Sequence, residues 1–443
     1  MRAIAGLVLI SLILMSAGAW AASARVAVFV NMQKLPGFEV GLKIKGVWLK
    51  GEGGEEEIPL MGDRIRSGVS FGQTLLAFGK VAPGRYRALR VRFGKVRARG
   101  RNLSPVQKER VFPLRLEVHK GETVSLFLIW DVADSLGEAG FVPRFSLKVQ
   151  EPPLPGENLF VDTEDTDTLW VITTDLNRVV YSLGVCREPK GMVSEPGERK
   201  FYVVCEGDKT IVEVGTGSYR VEDVIPVPLL NSPRYIALGP EGKALLSSPD
   251  DRMVALLDLR QGNLVRYRRL SYEPGEVAYI ENLSRFAVSS PHDGTVYFLD
   301  ADLQTVGRIS AGFTPRGLAV DDTFLYVADE EGGVQLYRLP GLEPAGRVSV
   351  CQRPVRVLGV DDRVFVSCEE GELAVLLSGH QTVSRRLHPG RGAFSMVYYS
   401  PRRWLYVALR EAGGVAVVDF NREKIMGNIQ VGGKPFEMVV SLP

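Results

Sequence analysis

From residue 25 onward, apolar and polar residues alternate in short runs bounded by Gly, Pro, Asn and Asp, and no stretch sustains the 3.6-residue period of a helix. Alternation over roughly four to eight residues marks a half-buried strand. In residues 25–150 the runs ARVAVFVNM, GLKIKGVWLKG, YRALRVRFGKVRARG, FPLRLEVHK, ETVSLFLIWDV and PRFSLKV are separated by turns such as VAPG (81–84) and KGE (120–122). They predict a small antiparallel β-sandwich. The Pro-rich segment 151–157, EPPLPGE, is read as a semi-rigid linker.

Beyond it one phrase recurs about every 40 residues. It is plainest in PRGLAVDDTFLYVADEEGGVQLYRLPG from Pro315, PVRVLGVDDRVFVSCEEGELAVLLSG from Pro354, and FSMVYYSPRRWLYVALREAGGVAVVDFN near the end. First strands begin at NLFVD (158), GMVSE (191), PRYIALG (233), GEVAYIE (275), PRGLAVD (315), PVRVLGV (354), AFSMVYY (393) and PFEMVVS (435). Seven second and seven third strands follow, from LWVITT and VVYSLG to WLYVAL and VAVVDF. A four-stranded blade is apolar on both faces and buries neither alone; stacking blades around an axis buries them all. The expected fold is therefore all-β: an N-terminal sandwich over 25–150 and a β-propeller over 158–443. The strand count predicts seven blades, with six as the alternative. The surplus first strand predicts closure of Asn158–Asp162 against the segment Pro435–Leu442, and the first blade is expected to have a short or absent fourth strand.

On these residues the chain resembles two repeat families. AGGVAVVDFNREKIMGNIQVGGKPFEMVVS is similar to the repeat of YVTN-type propellers, exported bacterial and archaeal proteins, and PRGLAVDDTFLYVADEEGGVQLYRL to an NHL repeat, which usually makes six blades. The likeness spans 158–443 and implies a fold, since those families include enzymes, surface proteins and binding scaffolds. The front segment, with PGRYRALR and the Asp131–Ser135 stretch DVADS, resembles an uncharacterised family of exported bacterial sandwich domains.

Residues 1–24 carry Arg2, a short apolar run and the small-residue sites Ala19-Trp20-Ala21 and Ala22-Ser23-Ala24, the anatomy of a cleaved secretory signal. This predicts an extracytoplasmic protein, periplasmic or secreted, with no membrane span after cleavage. The formal charge of +2 hides an asymmetry: residues 25–150 hold 22 Lys and Arg against 12 Asp and Glu, while residues 151–443 hold 31 against 40. The two bodies are expected to attract weakly or to face different partners.

Candidate chemistry is sparse. Arg90, Arg92, Lys95, Arg97 and Arg99 line one face of a strand and predict either a polyanion-binding patch or an interdomain contact; no aromatic residue interleaves with them on that strand to stack bases. Cys186 precedes a first strand and Cys205 ends the following second strand; Cys351 and Cys368 hold the same places four blades later. Antiparallel neighbours bring such positions within disulfide reach, so 186–205 and 351–368 are the expected pairs. Asp162, Glu164, Asp165 and Asp167 form an acidic cluster, a candidate Ca²⁺ loop set against the reading of a solvated turn; no other metal or cofactor is expected. The four histidines, 119, 292, 380 and 388, are scattered, and no nucleophile or zinc-protease pattern occurs, so no catalytic residue is assigned. The expected function is an exported, non-catalytic binding or scaffold protein with a protein partner in the cell envelope. The alternatives are a propeller-class enzyme such as a lactonase-like hydrolase, and a structural component of cell-surface machinery.

Overall fold

The computed structural model describes residues 24–137, 140–154, 156–195 and 197–441. The expected signal segment lies outside them apart from Ala24, which opens the first strand. Twelve strands build the front of the chain: β1 (Ala24–Gln33), β2 (Val40–Gly51), β3 (Gly54–Ile58), β4 (Arg64–Arg66), β5 (Gln73–Val81), β6 (Gly84–Ala98), β7 (Arg101–Leu103), β8 (Glu109–Val118), β9 (Thr123–Asp131), β10 (Leu136–Gly137), β11 (Gly140–Phe141) and β12 (Phe145–Val149). One sheet runs β12-β9-β1-β5; the other runs β3-β2-β6-β7, with β4 added to β2 and β8 to β6. Val26, Val28, Val30 and Trp130 of the first sheet share a core with Leu42, Leu89, Val91 and Leu116 of the second. The pairing departs from the purely antiparallel expectation at one place. β1 and β9 run parallel, because the chain between them passes through the opposite sheet and returns in the same direction.

Alternation explains the second sheet: β8 buries every other residue and exposes the rest. Strand β1 is buried on both faces instead. Its even-numbered apolar residues enter the front core, while Ala27 and Phe29 face the second half of the chain, packing with Trp170, Val179, Val415 and Ile429.

That second half is a succession of seven four-stranded antiparallel sheets among the described residues, an arrangement consistent with a β-propeller. Each innermost strand touches the innermost strands before and after it, and the innermost strand of the last sheet touches that of the first. Closure follows the expected pairing, since Asn158–Thr163 (β13) lies antiparallel to the strand Pro435–Ser441. The roles within that sheet differ from expectation. Its order is Arg178–Gly184 (β15), Thr168–Thr173 (β14), β13, then Pro435–Ser441. Asn158 therefore begins a second strand, and the short fourth strand expected there does not arise, because β15 fills that place.

Docking of the two halves is apolar and hydrogen-bonded rather than electrostatic. Trp170 meets Phe29 and Phe78 edge-on, at ring-centroid separations of 5.9 and 5.5 Å. The Gln73 side chain bonds both backbone groups of Val179, at 2.8 and 2.9 Å, and Gln150 bridges Ser125 N and Ser182 N. Backbones approach so closely at Gly184 that a Cβ there would lie 1.7 Å from the Gly121 carbonyl oxygen. Among the described residues a single ion pair, Arg25–Asp167 at 3.1 Å, crosses the junction.

Candidate functional site

Proline opens four of the innermost strands, at Pro189, Pro315, Pro354 and Pro435. Lacking an N–H, it is tolerated at a strand's first position. Residues at or beside the innermost-strand starts crowd together around the axis and, with Arg410 just past the strand Trp404–Leu409, help to line a cavity of about 530 Å³. Lys190, Arg234, Glu276, Arg316, Arg356 and Arg410 are among them.

At its floor Arg356 is buried, paired with Glu276 and lying 3.5 Å from Glu437 Oε2, while the Ser395 hydroxyl donates to Glu437. Its guanidinium also lies 4.7 Å from the Phe394 ring centroid and 5.0 Å from that of Tyr235. A guanidinium, delocalised and weakly hydrated, suits such a site better than an ammonium. Burial pushes the Glu276 carboxyl up to about 7, although Arg356 pulls the other way. Burial likewise raises Glu437. For Arg356 burial opposes the charge, but Glu276 and Glu437 outweigh it and hold the guanidinium protonated.

Above the floor, acids alternate with bases. Glu164 pairs with Lys190 at 2.6 Å and with Arg410; Glu206 pairs with Arg234 at 2.8 Å. On the opposite side Glu330 takes Arg316 at 2.7 Å and Arg353 at 3.3 Å, and Glu369 also pairs with Arg353. Burial tends to raise Glu164 and Glu330, yet their basic partners outweigh it and hold both carboxyls below the usual range. Glu164, Glu206, Glu330 and Glu369 each have a side-chain cation as partner, whereas Asp165 and Glu188, which also line the cavity, have none among the described residues. No group of three or more His, Cys, Asp or Glu among the described residues is arranged to hold a metal ion. Chemically the mouth can exchange ion pairs with a charged partner.

The residues singled out from sequence fall elsewhere. Cys186–Cys205 and Cys351–Cys368 are disulfides with Cα separations of 5.8 and 6.4 Å, bracing two sheets. The acidic cluster is dispersed. Asp162 is buried and accepts the N–H groups of Phe436 and Glu437, Glu164 belongs to the mouth, Asp165 accepts Lys434 N, and Asp167 accepts Arg25 and Glu188 N. Each carboxylate has its own partner, so the four do not converge as a Ca²⁺ loop would require. Of the basic set, Arg90 is tied to Glu55 and Glu109 and Arg92 to Glu109, while Lys95, Arg97 and Arg99 are exposed. Their strand belongs to the sheet that does not face the ring, so the interdomain contact lies with β1, β5 and β9 instead. An aromatic ring does adjoin the basic face: Trp48 on the neighbouring strand lies 4.3 Å from Arg90. His292 reaches Glu273 at 2.8 Å, and both it and His388 are exposed.

The mouth residues were missed from sequence. Their signal was a charged residue at a nearly fixed offset behind the Pro or Gly that opens an otherwise apolar phrase: Lys190, Arg234, Glu276, Arg316, Arg356 and Glu437.

No protein-family model matches the chain, and no curated protein sequence is similar to it. Solved structures do resemble it in fold. A functionally unknown protein from Desulfotomaculum acetoxidans is 15% identical with a TM-score of 0.56, covering 65% of this chain and 99% of its own. Two proteins provisionally assigned as 6-phosphogluconolactonases match equally well, with TM-scores of 0.56. The one from Bacteroides fragilis is 13% identical and covers 65% of this chain and 98% of its own. The one from Bacteroides uniformis is 14% identical and covers 65% of this chain and 100% of its own. At such identity the likeness is one of fold.

Proposed function

We propose that this chain is an extracytoplasmic, non-catalytic binding protein: a seven-bladed propeller, of the broad YVTN and NHL kind, carried beside a β-sandwich, with the charged mouth as its recognition surface for a protein partner. The observation that supports this reading most is the pairing of the mouth's acids with Lys and Arg. Such a surface offers a partner exchangeable salt bridges, which favour specificity and association rate. Phe313 supports it further. It is 76% exposed in the loop leading into Pro315, whose neighbour Arg316 lines the mouth. An exposed aromatic beside paired charges has the make-up of an interface anchor. The two disulfides support an oxidising compartment.

The test is crosslinking capture from the native envelope with the full chain, compared with Phe313→Ser and Arg316→Glu. The expected result is one partner retained by the parent chain and lost from both variants, whose folds are unchanged by circular dichroism. Hydrolysis of 6-phosphogluconolactone by the purified protein, abolished in Glu276→Gln, would overturn the reading in favour of an enzyme.

A further inference from the structure

The outer face of the six-stranded sheet divides into two electrostatic halves. Toward the Gly51 end of β2 four of its six exposed or half-buried cations are paired, Arg85 with Glu117, Arg87 with Glu52, Arg90 with Glu55 and Glu109, and Arg92 with Glu109, while Lys50 and Arg115 have no ion-pair partner among the described residues. Toward the Val40 end, Arg64, Arg66, Lys95, Arg97 and Arg99 have no ion-pair partner among the described residues, and all five are exposed. The one pair found there is Lys43–Asp63 at 3.0 Å. Register fixes the geometry. Gly41 on β2 lies between Arg66 of β4 and Arg97 of β6, and Lys43 lies beside Arg64. A Cβ built on Gly41 would meet nothing within 4 Å, so the floor between the cations is open.

Two rows of cations therefore flank a low track along β2, one row on β4 and one on β6. Strands ~4.8 Å apart place the Cα atoms of Arg66 and Arg97 about 10 Å apart, and same-face neighbours on one strand lie ~7 Å apart. These spacings suit a succession of anionic groups rather than a single one. A sheet docked against the ring through its partner sheet cannot adjust its shape, which favours a linear ligand lying along the track. The two rings beside the track are not free for base stacking, since Phe38 is covered by Arg99 and Trp48 by Arg90 and Arg92. We propose that this track binds a linear anionic polysaccharide, with Arg64, Arg66, Lys95 and Arg97 making the main contacts. The proposal stands independently of the propeller mouth.

Dextran sulfate is the probe, with uncharged dextran as control and the full chain as protein. Binding is expected to weaken linearly on a log–log plot against salt, as counterion release requires. Replacing the four cations by Gln should weaken it by at least about tenfold and flatten that slope, whereas Arg85→Gln with Arg87→Gln, in the paired half, should change it by less than about twofold. Gly41→Glu, which removes no cation and whose Cβ would meet nothing within 4 Å, should match the fourfold variant. Three outcomes would overturn the proposal: no binding by the parent chain, equal loss in both halves, or an unaffected Gly41→Glu. Tighter binding of single-stranded DNA, or of vesicles rich in anionic lipid, would assign the track to those ligands instead.

Discussion

Arg356 sits where an unpaired charge would cost several kcal/mol, and two carboxylates with flanking aromatic rings make its burial tolerable. The arrangement has a consequence for acid–base behaviour. Glu276 titrates at about 7 in the folded chain, against an ordinary value of 4.5. Between those values the folded state keeps a proton that the unfolded chain has released. Stability contributed by this group is therefore fully present below about 4.5 and declines as pH rises toward 7, by up to about 3 kcal/mol. Thermal melts from pH 4.5 to 7.5 should show that decline, and Glu276→Gln should flatten it. A slope unchanged by the substitution would place the titrating group elsewhere.

At the scale of the element, the two halves meet through strands rather than loops, and close backbone approach governs the fit. Gly184→Val is expected to push β15 away from the turn at Gly121, costing about 3 kcal/mol, the upper end for overpacking. Limited proteolysis should then cut the front sheets faster than in the parent chain, while the ring keeps its circular dichroism spectrum. Strands of this kind are legible in the sequence because short apolar runs bounded by turn residues mark a strand even where both faces are covered and alternation is lost. The cysteine pairs were legible for a similar reason: antiparallel neighbours put the start of one strand beside the end of the next. Sheet order was less so. NLFVD has the composition of an innermost strand, and only its pairing with PFEMVVS shows that it is second. The basic strand is expected from sequence to bind a polyanion or to meet the second half. It lies on the sheet away from the ring, and the acids that pair with part of it, Glu52, Glu55, Glu109 and Glu117, come from β3, β8 and a turn remote in sequence. Mouth residues escaped notice because each arrives singly, from a different sheet; only the ring assembles them.

Across the whole molecule, closure depends on contacts between residues nearly three hundred positions apart, such as Phe436 N and Glu437 N on the Asp162 carboxylate. Pairings this distant in sequence form late and pay loop-closure entropy first. A chain shortened to end before Pro435 should leave β13 with an unpaired edge and lose the single cooperative melt, and size-exclusion chromatography should show association through that edge. If such a chain melted once and ran as the parent does, the ring would not need its final strand.

The position of the front sheets adds one thing more. Phe29, Phe78 and Leu75 lie over Trp170 and Val179 of the first sheet and over Val415 and Ile429 of the seventh, so they span the place where the circle joins. That join would otherwise be the easiest point for the circle to breathe. With the front body acting as a splint, amide protons at the join should exchange among the slowest in the molecule, and the ring should part first somewhere on its unsupported far side.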